Sequence, residues 1–470
     1  MKQLNSPNYK GRSLLATHRQ IHRIGLLSPT SGNLGNAAMQ AAMIASLRKR
    51  ITGVEFLGIT LNPEETRRRH GIEAFPLAGL SLPYYGPFHS DSSEAQNRQT
   101  PELGRIKEGL KKIPVLRTIL RFGRTCAMNL ARSSAVRTCV TESAHVRAAA
   151  RAVRRLDCMV IPGGGTLDDL WGGPWGQPWA LFKWSLLSRF YGVPFLFVSI
   201  GKSSLEQPLS RFFVRIALRL AKYRSYRDPD TKIAVQTLID ARKDPVYPDL
   251  AFSYPCPAVE TSHRNGSGDS RLVIGVSPIA YCDPRVWPLK DERRYTAYVS
   301  QLAEVVRWLI KEGHRVLLFT TDGPDAKTLE DIRSRISGTA TDDEAIQTLT
   351  DCMEQGPDSL LRGISCADLT IASRLHGIIL SHLNTTPVLA LSFDPKVASH
   401  MNAVGQQDYC LNIDHLKLDI IIERFNTLKN LREREAARIR CAAVGFRKQL
   451  DIQYDQIFGR ERPNPLKNSL

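Results

Sequence analysis

A chain of 470 residues exceeds what one ordinary hydrophobic core takes, so two domains are expected. No run of about 18 apolar residues occurs, and the basic N-terminal tail, residues 1–23, lacks the apolar stretch of a secretory signal; neither a membrane span nor a signal peptide is expected, and a cytoplasmic location is. The net charge of +18 favours an acidic partner, such as nucleic acid, an anionic membrane or a phosphate- or carboxylate-bearing substrate, without choosing among them.

Short apolar runs alternate with helical stretches along the chain. Ile24–Leu27, Val54–Leu61, Cys158–Ile161, Pro194–Ile200 and Tyr223–Tyr226 read as strands, several of them apolar without alternation, as strands covered on both faces should be. Ala37–Leu47, Trp179–Phe190 and Leu209–Ala221 read as helices between them. The segment Ser253–Ser270, rich in Ser, Pro and Gly, reads as a linker. Beyond it Arg271–Pro278, Arg315–Thr320, Leu369–Ala372 and Val388–Ser392 read as strands, and Tyr295–Glu312, Asp325–Ile336 and His376–Leu383 as helices. The tail from Leu416 reads as helical, including Arg432–Tyr454. The expected division is a domain over 24–252, a linker over 253–270, a second domain over 271–415 and C-terminal helices over 416–470. Alternation of this kind predicts parallel sheets covered by helices, with ligands at the carboxyl ends of the strands and a cleft between the domains.

One stretch breaks the rhythm. Within an insertion at about 100–155, Arg105–Arg155 carries many Arg and Lys against only Glu108 and Glu142, with Leu110, Ile113, Leu116, Ile119 and Leu120 interleaved. Such a pattern suits peripheral contact with an anionic membrane at the cytoplasmic face. A solvated insertion whose apolar stripe packs on its own domain is the equal alternative.

Nine scattered cysteines form no CxxC pair and no ligand-spaced cluster, so neither a disulfide framework nor a metal site is expected. No aromatic-basic motif for nucleic acid is present, so nucleic acid is not an expected partner.

The chemistry concentrates in turns after strands. Ser373-Arg374-Leu375-His376-Gly377 follows the strand Leu369–Ala372. Arg374 offers a planar fork suited to a carboxylate or phosphate, His376 can move a proton near neutral pH, and a helix N-terminus there favours an anion. Gly377 would let a ligand approach the backbone. The structural alternative pairs Arg374 with a carboxylate and buries His376 as a satisfied core group. Upstream, Gly32-Asn33-Leu34-Gly35-Asn36 is a glycine loop ahead of a helix, and Gly163-Gly164-Gly165 follows a strand. Arg227-Asp228 closes Tyr223–Tyr226, with Asp228 the expected cap of the next helix and Arg227 pointing into the cleft. Asp249 is a turn residue, and Lys202 is an isolated base after a central strand. Trp171, Trp175 and Trp179, beside Asp168 and Asp169, suit a sugar face or the packing of a helix equally. Asp322 and His314 read as structural.

These stretches resemble the polysaccharide pyruvyl transferase family. The resemblance rests on Ala367-Asp368-Leu369-Thr370-Ile371, Arg374-Leu375-His376-Gly377, Pro387-Val388-Leu389-Ala390-Leu391-Ser392 and Lys396, with support from Gly32–Asn36, Gly163–Gly165, Arg227-Asp228 and Asp249-Leu250-Ala251-Phe252. Ser199–Ser204 departs from the family's glycine-rich stretch. The resemblance implies an α/β fold of two Rossmann-like domains in a GT-B-like arrangement with an interdomain cleft. It also implies transfer of the pyruvyl group of phosphoenolpyruvate to a sugar of a glycan precursor, lipid-linked or free, with no other cofactor. On this reading His376 and Arg374 are catalytic. Arg227, Gly377, Leu375, Asn33, Gly35, Asn36, Gly164, Gly165 and Lys396 bind substrate. A nucleotide-sugar glycosyltransferase of the same plan is the first alternative; a non-enzymatic anion- or membrane-binding protein is the second.

Overall fold

The computed structural model describes residues 14–15, 21–28, 32–79, 134–255, 271–336, 345–349 and 352–459, with side chains in the helix from Ser134 given from residue 140 onward. Most of the N-terminal tail, the basic run up to residue 133 and the linker over 256–270 lie outside the described residues.

The described residues form two six-stranded sheets. The first holds β1 (Arg23–Ser28), β2 (Glu55–Thr60), β3 (Glu73–Pro76), β4 (Cys158–Pro162), β5 (Phe195–Ile200) and β6 (Tyr223–Tyr226), in the order β3-β2-β1-β4-β5-β6. The second holds β7 (Val273–Ser277), β8 (Arg315–Phe319), β9 (Ile346–Leu349), β10 (Leu369–Ala372), β11 (Val388–Ser392) and β12 (Cys410–Asn412), in the order β12-β11-β10-β7-β8-β9. Every pairing is parallel. Both sheets therefore wind outward from a switch point, β1/β4 in one and β7/β10 in the other, where loops diverge and leave a crevice. The central strands β4, β5 and β10 are buried along their whole length, which is why they read as unbroken apolar runs. The edge strands β3, β9 and β12 are short and largely uncovered, so they carry no such signal.

One helix holds the lobes together. Leu34–Arg48 follows β1 and is rich in alanine, so other backbones approach it closely. Leu34, Ala38 and Ala42 share a core with Leu317 and Phe319 of β8 and with Leu360, Leu361, Ile364 and Leu380. Its other side packs Met39, Met43 and Leu47 into the larger core beneath the first sheet.

The C-terminal helix Arg432–Phe458 returns to the first lobe. Arg50 bonds Asp451 and Asp455 through Nη2 and Nε at 3.0 and 2.9 Å, and its guanidinium lies 5.3 Å from the Tyr454 ring centroid. Gln453 is buried against β5 and β6. Its Oε1 accepts from Ser199 Oγ at 3.1 Å, and its Nε2 donates to Ser225 Oγ at 2.7 Å. Ser199 has a φ of 51°, a left-handed conformation costly for a residue with a side chain. Its N–H donates to Ser225 Oγ at 2.8 Å, so the Gln453 network secures the strained turn ahead of Gly201. Gln453→Leu should lower stability by about 1–3 kcal/mol, since the hydroxyls of Ser199 and Ser225 lose their shared partner. A urea midpoint unchanged by that substitution would contradict the assignment.

Candidate functional site

The site begins at the end of β10. Ser373 N–H donates to the Ser277 carbonyl at 3.0 Å, which fixes the strand exit beside the end of β7. Arg374 is the N-cap residue of the helix Leu375–Leu383, and its side chain makes no capping hydrogen bond. The first amides of the helix are therefore open to an anion from the cleft. The helix starts one residue before the expected His376, and Leu375 is buried as the apolar anchor of the turn.

His376 points across to the other lobe. A Cβ placed on Gly35 would sit 1.9 Å from His376 Cγ, so the imidazole lies directly on the Gly35 backbone. Gly35 was expected to admit a ligand; it admits the histidine instead. The close approach expected at Gly377 is likewise internal, because a Cβ there would meet Ser277 Oγ at 2.9 Å.

Asp249 joins the two lobes' ionisable groups. Its Oδ1 accepts from Ala251 N at 2.9 Å. Its Oδ2 lies 3.3 Å from Arg227 Nη1 and 4.0 Å from His376 Nε2. Arg227 follows β6, its guanidinium covers Gly201, and its Nε is 3.5 Å from Asp228 Oδ2. Asp228 caps the helix Pro229–Gln236 through Thr231 N, as its position suggested. Arg227 Nη2 and His376 Nε2 are both buried, and neither has a hydrogen-bond partner among the described residues. Two such atoms beside one carboxylate mark a place shaped for a polar ligand.

Burial pushes His376 down to about 4; Asp249 opposes the shift, while Arg227, Lys396 and Arg374 reinforce it. The imidazole is therefore neutral near pH 7 in the free protein. His400 stacks on Phe252 and contacts His382 Nδ1 at 3.0 Å, and burial lowers it too, with His382, Arg227 and His376 adding to the effect. Nothing in its local sequence marks His400 as part of this wall.

Arg374 differs from the expectation of a fork open to ligand. Its Nη2 donates to Asp325 Oδ1 at 2.8 Å, its Nε also bonds Asp325, and its Nη1 is 3.0 Å from Asp322 Oδ2. Asp325 also accepts from Ala280 N at 2.8 Å. Two carboxylates on one guanidinium hold the turn in place. Asp322, read as structural, belongs to this clamp and forms a β-bridge with Asn33 of the other lobe. Its carboxyl is raised by burial against the pull of Arg374. Asp325 was read only as the start of a helix, because its partner lies far along the chain.

Asn33 caps the helix Leu34–Arg48 by accepting from Asn36 N at 3.0 Å. Asn36, Gly164 and Gly165 line a crevice at the β1/β4 switch point with Thr166 and Gln177. Gly163 and Gly164 have φ of 68° and 80°, which explains the glycines. Lys396 Nζ bridges Ser203 Oγ at 3.1 Å and Asp394 Oδ2 at 3.0 Å, so it spans the lobes. Asp168 and Asp169 hold backbone amides of Leu170, Glu206 and Gln207. Burial nevertheless raises Asp168 to about 6. Trp171 packs on Trp287 of the second lobe at 5.8 Å, and Trp179 on Phe213 at 5.5 Å. Lys202 lies outside the histidine cluster, its N–H donating to Thr231 Oγ1 at 3.0 Å. Among the described residues no group of His, Cys, Asp and Glu is arranged to hold a metal.

A family model described as polysaccharide pyruvyl transferase matches residues 33–395. Among solved structures, the S. aureus MnaA–UDP co-structure aligns with a TM-score of 0.50 at 11% identity, over 94% of this chain and 99% of that one. The UDP-GlcNAc 2-epimerase from Neisseria meningitidis bound to UDP-GlcNAc gives 0.50 at 11%, over 91% and 99%. A candidate UDP-N-acetylglucosamine 2-epimerase from Listeria monocytogenes gives 0.52 at 11%, over 94% and 98%. At such identity the likeness shows the fold alone, two Rossmann-like domains in the GT-B arrangement.

Gly35→Ala should displace the imidazole and cost about 1–3 kcal/mol by overpacking; an unmoved His376 ring signal in NMR spectra would contradict the contact. A second expectation concerns acid. His376 and His382 are both lowered by burial to about 4, from about 6.5 when unfolded. The unfolded chain then binds more protons, so stability present above about pH 6.5 is lost as pH falls toward 4. Thermal melts should show that fall, shallower in His376→Asn; an identical slope in both proteins would refute it.

Proposed function

Because the chain belongs to the polysaccharide pyruvyl transferase family, we propose that it transfers the pyruvyl group of phosphoenolpyruvate to a sugar and closes it there as a cyclic ketal. The observation that carries this reading is the pair of buried, unpartnered nitrogens, Arg227 Nη2 and His376 Nε2, converging beside Asp249. The donor is a small dianionic to trianionic frame, and it needs cationic and amide donors from more than one direction. Arg227 supplies one and the open amides of Leu375 and His376 a second. Lys396, which links the lobes through Ser203, supplies the third. Arg374 takes the role of positioning the turn, since its nitrogens are held by Asp322 and Asp325.

The lowered His376 adds a requirement to the chemistry. A neutral imidazole is no acid, but a bound phosphate and carboxylate raise its pKa, so donor binding draws in a proton. The imidazolium then delivers that proton to the methylene carbon of the enol. A sugar hydroxyl adds to the central carbon and returns its own proton to the imidazole. Loss of phosphate and attack by a second hydroxyl, whose proton leaves with the phosphate, complete the ketal. Proton delivery of this kind contributes about a hundredfold to ten-thousandfold in rate.

His376→Ala should lower turnover by a factor in that range, measured as phosphate release with a glycan acceptor, while donor binding persists. Phosphoenolpyruvate at about a hundred times its Kd should stabilise the fold by about 2.7 kcal/mol. Stabilisation by a UDP-sugar and none by phosphoenolpyruvate would overturn the reading. Arg374→Lys should lower the melting temperature and turnover together. A fully stable Arg374→Lys protein with only a raised KM for the donor would return Arg374 to the ligand.

A further inference from the structure

We propose that the face formed by the helices Gln177–Phe190 and Pro208–Leu220 docks on an anionic lipid bilayer. The first helix turns Trp179, Phe182, Leu186 and Phe190 to one side, and Trp175 continues that stripe at its start. Trp175, Phe190 and Phe212 are 60%, 80% and 51% exposed, so among the described residues none covers them. The rings are continuous across the two helices, with Phe182 at 6.4 Å from Phe212 and Trp175 at 5.8 Å from Phe213. The Trp179 indole N–H is satisfied by Glu142 at 3.0 Å, which leaves the rest of the ring as an apolar surface.

Charge selects the occupant. Neither helix contains an Asp or Glu, and Arg211, Arg215 and Arg219 recur every fourth residue around Phe212. Arg189 stands beside Phe190 at the far end of the first helix. Exposed aromatics beside arginines, on two helices without an acid, are the chemistry of a surface that lies in an anionic headgroup layer. A second copy of the chain would bring the same arginines face to face across a two-fold axis, which their mutual repulsion opposes.

The face also adjoins the site. The loop leaving β4 through Gly163–Gly165 runs into Trp175, and Asp169 on that loop holds the amides of Glu206 and Gln207 ahead of the second helix. Both helices thus begin at the rim of the cleft. If the proposed transfer is right, docking would bring that rim to sugars carried on membrane lipids, and only this corollary rests on that reading.

The test is cosedimentation of the full chain with phosphatidylcholine vesicles, with and without phosphatidylglycerol. Binding should require the anionic lipid and weaken with salt. Arg211→Gln, Arg215→Gln and Arg219→Gln together should weaken partitioning on the order of a hundredfold. Trp175→Ser, Phe190→Ser and Phe212→Ser together should also release the chain, whereas Leu289→Ser with Ile452→Ser, at exposed apolar positions elsewhere, should not. If the serine variant folds poorly, the glutamine variant carries the test. Three results would overturn the proposal: no binding to anionic vesicles at low salt, wild-type binding by both variants, or a dimer in sedimentation velocity that the serine variant breaks. Thermal stabilisation by phosphoenolpyruvate in vesicle-free solution reports separately on the donor reading, so the two can fail independently.

Discussion

The site depends on one buried carboxylate. Asp249 stands between a guanidinium from the first lobe and an imidazole from the second, and its Oδ2 faces both. It offsets the Arg227 charge enough for that residue to remain buried, yet it satisfies only one of the two terminal guanidinium nitrogens. Without Asp249, Arg227 would keep only the 3.5 Å contact of its Nε with Asp228 Oδ2. The same carboxylate pulls the His376 pKa upward against burial, so the imidazole is held within reach of protonation.

The Arg374 cluster shows the opposite balance. Two carboxylates surround one guanidinium, and the cluster closes the β-bridge between Asn33 and Asp322. Its bonds are spent on geometry: they fix the first turn of the helix Leu375–Leu383 and so aim His376 at Gly35. Two arginines that look alike in the sequence thus differ in the structure: Arg374 holds a turn, and Arg227 keeps one nitrogen without a partner among the described residues.

Much of this plan was legible in the sequence. Central strands buried on both faces betray themselves as apolar runs, and turns after those strands display their glycines and charged residues. The edge strands were not legible, because β3, β9 and β12 are too short and too exposed to leave a pattern. Arg374 was visible as a residue but not as a clamp, since Asp322 and Asp325 arrive from the end of a different strand. Gly35 and Gly377 were visible as glycines, and both were assigned to ligand approach. What each excludes is a clash with His376 or Ser277, a contact that exists only once the lobes are assembled. The charge of the stretch Arg432–Tyr454 gave no sign of its docking, yet Gln453 and Tyr454 are wholly buried in the first lobe.

The two buried nitrogens carry a cost. A buried polar group without a partner is unfavourable by about 1–3 kcal/mol, and the site keeps at least two, Arg227 Nη2 and His376 Nε2. The assembly tolerates them because shared cores on both sides of the helix Leu34–Arg48 and the returning C-terminal helix fix the lobes independently of any ligand. A ligand that satisfied both nitrogens would recover this cost as binding energy without moving the backbone that carries them. A ligand that met only one of the two nitrogens would leave the other buried and unpaired, so the pair favours a partner that reaches both at once.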